Sequence, residues 1–264
     1  MKVLLVDDEP AILELLSFAF SKKEIPVVTA GDAEAAVAIL AAGDTFDAAL
    51  VDKNLPGMNG LQLIAKIRET DVAMAVLMMT GYASPETATE ALNLDVDAYL
   101  EKPFPTMTMV VDRVIAATEK RRALVASGAI RPPAATPAPD APAAPARVLM
   151  VASAELEEAL RSALLPHDEV YLARRETELN LVIAKPSDLV VIDAFLLGGE
   201  VVPVVERVQR TSPGAEFVVI SDRALDLRTV QKLIELGVRR LCQSTSWGRP
   251  MRNALETIRK KKRA

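Results

Sequence analysis

The stretch Ala49-Leu50-Val51-Asp52-Lys53-Asn54-Leu55-Pro56-Gly57-Met58-Asn59-Gly60 decides how the chain reads. Ala48 to Val51 contains no polar residue, which suits a strand covered on both faces. The run delivers Asp52 to its end, and Pro56, Gly57 and Gly60 mark a tight loop before a helical pattern. In open α/β sheets ligands gather at the carboxyl ends of the strands, which makes Asp52 a site candidate. Taken alone it reads more simply as a loop or helix-capping aspartate. The residues at the other strand ends decide between the two.

Working outward, the same alternation recurs on both sides. Val3 to Val6 predicts a first strand, followed by Asp7-Asp8-Glu9-Pro10, acids and a proline suited to a first helical turn. Ile12, Leu15, Leu16 and Phe20 then recur at helical spacing. Ile25 to Thr29 predicts a short strand, and Ala33 to Ala42 an Ala-rich helix with Val37, Ile39 and Leu40 as its apolar positions. Leu61, Leu63, Ile64 and Ile67 mark a third helix. Ala75 to Met79 predicts a fourth strand ending in Thr80-Gly81, and Ala88, Ala91, Leu92 and Leu94 a fourth helix. Ala98 to Leu100 predicts a fifth strand ending in Glu101-Lys102-Pro103. Thr106 to about Val125 closes the series with Val110, Val114 and Ala117 on one face. Five β-α units in about 125 residues imply a parallel sheet with helices on both faces, a doubly wound α/β fold.

Residues 130–146 are almost all Pro and Ala and can form no core. They read as a semi-extended linker reaching up to roughly 50 Å at about 3.1 Å per residue. The rhythm then restarts at an offset of 141 to 145 residues: Arg147 to Val151 mirrors Lys2 to Val6, Asp188 to Asp193 mirrors Asp47 to Asp52, and Glu216 to Ser221 mirrors Ala75 to Thr80. That is a domain duplication with the same fold expected twice. The expected division is residues 1–125, a linker over 126–146, and 147–264.

Composition narrows the function classes. The 264 residues are half hydrophobic, without an 18-residue apolar run or a signal-peptide pattern, so a cytoplasmic protein without a membrane association is expected. Cys242 is the sole cysteine, which excludes an internal disulfide. His167 is the sole histidine and follows Pro166 in an apparent loop, which speaks for a surface residue rather than a ligand or a triad member. Residues 1–145 carry a net charge of −8 and residues 146–264 a net of +3, which argues against nucleic-acid binding by the first half.

Asp7-Asp8, Asp52, Thr80 and Lys102 all fall at strand ends that a doubly wound sheet brings to one edge. Carboxylates so close repel each other and need a counter-charge, which a hard cation such as Mg²⁺ supplies through oxygen ligands. A lysine and a threonine hydroxyl complete a cradle for a phosphoryl group, and an aspartate oxygen can become an acyl phosphate.

These residues carry a resemblance. Val6-Asp7-Asp8-Glu9-Pro10, Val51 to Gly60, Met79-Thr80-Gly81 and Glu101-Lys102-Pro103-Phe104 closely resemble the receiver domain of two-component response regulators, over residues 1 to about 122. The resemblance implies a flavodoxin-like, CheY-like five-stranded sheet of order 2-1-3-4-5, an arrangement for which receivers are a standard illustration. It implies phosphorylation of Asp52 by a sensor histidine kinase. Mg²⁺ would be bound by Asp8, Asp52 and the Asn54 carbonyl, with Asp7 acting through a water. Thr80 and Lys102 would contact the phosphoryl oxygens, and Thr80 and Tyr99 would form the switch. It also leaves open a homodimer through the fourth and fifth helical face. Asp95 departs from the glycine usual before the fifth strand. Self-catalysed gain and loss of phosphate is implied rather than enzymatic turnover of a substrate.

The second copy lacks the chemistry: Ala152-Ser153 align with the acid pair and Ser244 with Lys102, while Asp193 and Ser221 remain. It reads as a pseudo-receiver, with Asp193 vestigial or structural. The basic tail Arg259 to Arg263 reads as a cation cluster at the end of a last helix, and Trp247 as a packing residue at that helix's start. The expected function is phosphorylation-controlled signalling to a downstream protein whose identity the sequence does not give. A phosphorelay intermediate or phosphate sink, and a DNA-binding regulator using the basic second half, stay open as alternatives.

Overall fold

Ten strands and ten helices alternate along the chain in a computed structural model that describes residues 1–126, 145–161, 163–198, 200–243 and 245–263. Most of the expected linker and Ser244 lie outside the described residues. The chain divides into two compact units, parted in sequence within the Pro/Ala-rich segment. Each builds its own sheet.

In the first unit β1 (Val3–Val6), β2 (Val27–Ala30), β3 (Ala48–Asp52), β4 (Ala75–Thr80) and β5 (Ala98–Glu101) form a parallel sheet of order β2-β1-β3-β4-β5. Every residue of β1, β3 and β4 is buried, which is why those runs are apolar throughout rather than alternating. Each valine or leucine so buried contributes about 1.5–3 kcal/mol. The strand β2 starts at Val27, two residues later than the apolar run suggests. Pro26 has no N–H to give the ladder, and its carbonyl instead accepts from Val3 N–H at 3.0 Å.

The helices α1 (Pro10–Ser21), α2 (Ala33–Ala41), α3 (Gly60–Thr70), α4 (Pro85–Asn93) and α5 (Met107–Ala126) cross between the strands. Pro10 and Pro85 occupy first-turn positions. Asp32, Asn59 and Ser84 cap the starts of α2, α3 and α4, and Asn59 forms a reciprocal capping box with Gln62. Two expectations about the buried faces change. Leu15 is 49% exposed while Leu16 and Phe20 line the core. In α2 it is Ala33 and Ala36 that face the core and are fully buried, and Val37, Ile39 and Leu40 are only half-buried.

At the amino ends of β4 and β5 sits a buried charge network. Arg121 of α5 is fully buried and reaches Asp95 at 2.8 Å, Asp97 at 3.2 Å and the Val72 carbonyl at 2.6 Å. Arg68 of α3 joins it, 3.0 Å from Asp97 and 2.8 Å from the Asp95 carbonyl. Asp95 has φ +59°, a left-handed conformation that favours glycine. Its carboxylate partners the buried Arg121, a role glycine cannot fill.

The second unit repeats the plan with β6 (Arg147–Val151), α6 (Ala154–Arg161), β7 (Glu169–Ala173), α7 (Glu176–Ile183), β8 (Leu189–Asp193), α8 (Val201–Thr211), β9 (Glu216–Ile220), α9 (Leu227–Leu236), β10 (Leu241–Cys242) and α10 (Gly248–Arg263). Its sheet runs β7-β6-β8-β9-β10, the same order as the first, and all its pairings are parallel. Both units are therefore flavodoxin-like, the fold that the resemblance implies for the first and the duplication for the second. The last strand is reduced to two residues. No helix among the described residues is long and apolar enough to cross a membrane.

Candidate functional site

The carboxyl ends of β1, β3, β4 and β5 converge because their ladders run to the same edge. Asp7 follows β1 and donates its N–H to Ala30 at 3.2 Å; Lys53 follows Asp52 and donates to Met79 at 2.8 Å; Lys102 follows β5 and donates to the Thr80 carbonyl at 2.8 Å. This register brings three of the expected side chains into contact. The Lys102 ammonium lies 2.7 Å from Asp7 Oδ2 and 2.7 Å from Asp52 Oδ1.

The two acids are held in the same way. Asp7 Oδ1 accepts the Glu9 N–H at 3.0 Å, and Asp52 Oδ2 accepts the Asn54 N–H at 2.6 Å. Each thus closes a turn onto the amide two residues on and presents its other oxygen to the lysine. Both are buried. Burial pushes the Asp7 carboxyl above its ordinary value; hydrogen bonds from Lys102 and Glu9 oppose the shift, and the Asp52 charge adds to it. Burial would lower the Lys102 ammonium, but hydrogen bonds and charge from Asp52 and Asp7 outweigh it and hold the group above the usual lysine range. Lys102 therefore stays charged, and the raised Asp7 carboxyl would gain from further positive charge nearby.

The remaining expected residues are placed as follows. Asp8 is exposed at the mouth. Thr80 is fully buried, its hydroxyl donating to the Tyr82 carbonyl at 3.1 Å and accepting the Tyr82 N–H at 3.2 Å. Tyr99 on β5 is buried with no hydrogen-bond partner for its hydroxyl among the described residues; burial pushes its pKa up to about 12, with the backbone at Ser84 opposing. Among the described residues no three acidic, histidine or cysteine side chains gather as a ready metal cluster. In kind, the donors fit a hard divalent cation: Asp7 and Asp52 offer buried carboxylate oxygens, and Asp8 follows Asp7 in the chain.

Three features escape the sequence reading. Glu9 adds a third, looser acid to Lys102 at 3.4 Å. Lys53 reaches across to Thr87 on α4 at 3.1 Å, tying the residue after Asp52 to that helix. Gly60 starts α3 against the end of β3, its N–H on the Lys53 carbonyl at 2.9 Å; a Cβ there would lie 2.1 Å from the Asp52 carbonyl oxygen. Only glycine allows that approach. The nearby Pro56 and Gly57 signal a tight loop, but nothing in the sequence shows which atom the glycine faces.

In the second unit, Asp193 keeps the turn, with Phe195 N–H on its Oδ1 at 2.9 Å, and Ser221 keeps the hydroxyl bond to the carbonyl two residues on, Arg223, at 2.7 Å. Ala152 and Ser153 stand in place of the acid pair. His167 is exposed, as expected, and Trp247 packs half-buried against the core at the start of α10. The basic tail is partly engaged within its own domain. Arg259 pairs with Asp168 at 2.6 Å, and Lys262 with Asp188 at 2.6 Å and with the Pro145 carbonyl at 2.6 Å.

The fold is that of a flavodoxin-like domain, with an acid–acid–lysine cluster at the switch point of its 2-1-3-4-5 sheet. Residues 3–114 match the family model of the response regulator receiver domain, and the first unit is a receiver domain. The chain is 38% identical over 109 residues to the response regulator protein FleR of Pseudomonas aeruginosa, covering 41% of this chain and 23% of that protein. It is 36% identical over 104 residues to the transcriptional regulatory protein TcrA of Mycobacterium tuberculosis, covering 39% and 41%. A solved CheY-like receiver domain protein from Methanospirillum hungatei matches at 30% identity with a TM-score of 0.44, over 46% of this chain and 96% of that one. The chain spans about a quarter to a half of the length of the curated relatives it matches first.

Proposed function

We propose that the protein is a phosphorylation-dependent response regulator of a bacterial two-component system, taking phosphate on Asp52 from a sensor histidine kinase and signalling through protein–protein contact. The reading is supported above all by one arrangement: Asp7 and Asp52, both buried, share the Lys102 ammonium at 2.7 Å each. In the transfer an Asp52 oxygen attacks the phosphorus of a phosphohistidine. The new P–O bond forms as the P–N bond breaks, and the histidine nitrogen takes the electron pair. Lys102 keeps its charge throughout and follows the incoming phosphoryl oxygens. The Asn54 N–H on Asp52 Oδ2 orients the carboxylate for attack.

Mg²⁺ would be held by Asp8, Asp52 and the Asn54 carbonyl, with Asp7 through a water. Bound there, it offsets the charge of the phosphoryl group. Once Asp52 carries nearly two added negative charges, the Thr80 hydroxyl leaves the Tyr82 backbone for the phosphoryl group, and Tyr99 responds with α4 and α5. The organisation is a receiver over 1–125, a linker over 126–146 and a pseudo-receiver over 147–264. The intradomain pairing of Arg259 and Lys262 favours a protein partner over nucleic acid. A phospho-dependent dimer through the fourth and fifth helical face belongs to the same proposal.

The test is incubation of the full chain with acetyl phosphate and Mg²⁺, followed by intact mass. A phosphoryl adduct that requires Mg²⁺ and disappears in Asp52→Ala is expected. Absence of any adduct under conditions that load another receiver overturns the reading.

A further inference from the structure

The carboxyl edge of the second unit's sheet holds two adjoining cavities, one of about 400 Å³ and one of about 530 Å³. The smaller lies where β6, β8 and β9 end, the point at which the strand order reverses and open α/β sheets take ligands. Its lining combines the apolar Leu156 and Ile220, the aromatic Trp247 and Phe195, and the acids Asp193 and Asp222. Its size suits a small molecule.

The charge selects the class of ligand. No basic side chain lines the smaller cavity among the described residues, so it offers a phosphate none of the positive charge that Lys102 supplies in the first domain. Asp193 uses Oδ1 on the Phe195 N–H, and no cation pairs with it among the described residues. Phe195 is 75% exposed and lines both cavities. Its ring already takes the Arg223 guanidinium at 5.9 Å, on the side of the larger cavity that Phe195 and Asp222 share. A carboxylate, two aromatic rings and apolar side chains lining one cavity suit a positively charged nitrogen on an apolar body. A bare metal ion would make no use of the apolar and aromatic lining, and among the described residues three acids do not gather there.

We propose that this cavity binds a small organic cation, with Asp193 as its charge partner and Phe195 and Trp247 as its aromatic clamp. The site is independent of phosphorylation at Asp52.

Trp247 is the only tryptophan in the chain, so its fluorescence reports on the cavity alone. The full chain is titrated with benzamidine and, as the neutral counterpart of the same shape, benzamide, with amide NMR shifts as a second readout. Saturable binding of benzamidine is expected with a dissociation constant of about 1 mM. Benzamide should bind at least about tenfold more weakly, one factor of ten being the least a charge contact should give. Shifts should centre on Asp193 to Phe195. Asp193→Asn should weaken benzamidine about tenfold or more. Phe195→Ala, a change at an exposed position that leaves the fold intact, should weaken it several-fold, and Asp52→Ala should leave it unchanged. Equal binding of benzamide and benzamidine, or no saturable change at Trp247 and Asp193, overturns the proposal. Loss of phosphate uptake alone does not touch it.

Discussion

Lys102→Met removes the cation that two buried acids share while keeping most of the side chain's bulk. The Lys102 ammonium lies 2.7 Å from one oxygen of each acid, and its side chain is only 13% exposed. At an effective dielectric near 20, each such pair is worth about 6 kcal/mol of Coulomb attraction. Desolvation of the lysine and of each acid costs several kcal/mol apiece and cancels much of this. Leaving both carboxylates buried without their partner should cost about 3 kcal/mol at pH 7. The pH dependence follows from the shifts. The Lys102 pKa is raised on folding, so its stabilisation is fully present below about 10.4 and is lost as pH rises through its folded value. Asp7 is raised above its ordinary 3.8, so the fold loses stability as pH climbs through the window between that value and the raised one. Without Lys102 this window widens. The cost should therefore be largest near neutral pH and shrink toward pH 4. Urea unfolding with a metal chelator, at both pH values, measures it. Adding Asp52→Asn to Lys102→Met removes the repulsion between the acids and should return about half the loss. A cost that is the same at both pH values, or a double variant no more stable than the single one, would show that the lysine acts through packing rather than charge.

Other positions give sharper local tests. Gly60→Ala should destabilise the fold by about 1–3 kcal/mol, because its Cβ would sit 2.1 Å from the Asp52 carbonyl, and should slow phosphoryl uptake by displacing Asp52; thermal unfolding and adduct kinetics measure the two effects. Arg121→Leu should cost about 3 kcal/mol in urea unfolding, since it takes from Asp95 its closest cation and leaves Asp97 with Arg68 alone. Phosphate uptake by the fraction still folded should be unchanged, because the network lies at the other end of the strands. Asp52→Asn should lower the Asp7 pKa toward its ordinary value, read from its carboxyl carbon by NMR in chelator, because a nearby negative charge has gone. An unchanged Asp7 titration would contradict the close coupling of the two acids.

The strands and the site were legible for the same reason. A parallel sheet covered on both faces needs apolar runs, and such runs place their last polar residue at the ligand-binding edge, so Val3–Val6 leads to Asp7 and Ala48–Val51 to Asp52. What stayed hidden depends on approach between distant segments. Arg121 reads as one more charge on a surface helix, yet it is fully buried, because Asp95 and Asp97, more than twenty residues away, come to meet it. Leu15 fits the helical spacing as well as Leu16 does, and only the direction from which the sheet approaches decides which is covered. Glu9 looks like an acid suited to a helix start, and nothing local shows that Lys102 reaches it. The tail's five basic residues suggest an outward-facing cluster, but Asp168 and Asp188 engage two of them.

The most direct test of the central claim is to locate the phosphoryl group. The full chain is loaded with acetyl phosphate and Mg²⁺, the acyl phosphate is trapped by borohydride reduction, and the peptides are sequenced by mass spectrometry. Homoserine at position 52 and unaltered aspartate at position 193 are expected. Label at Asp193, or a loaded protein in which Asp52 is untouched, would contradict that claim.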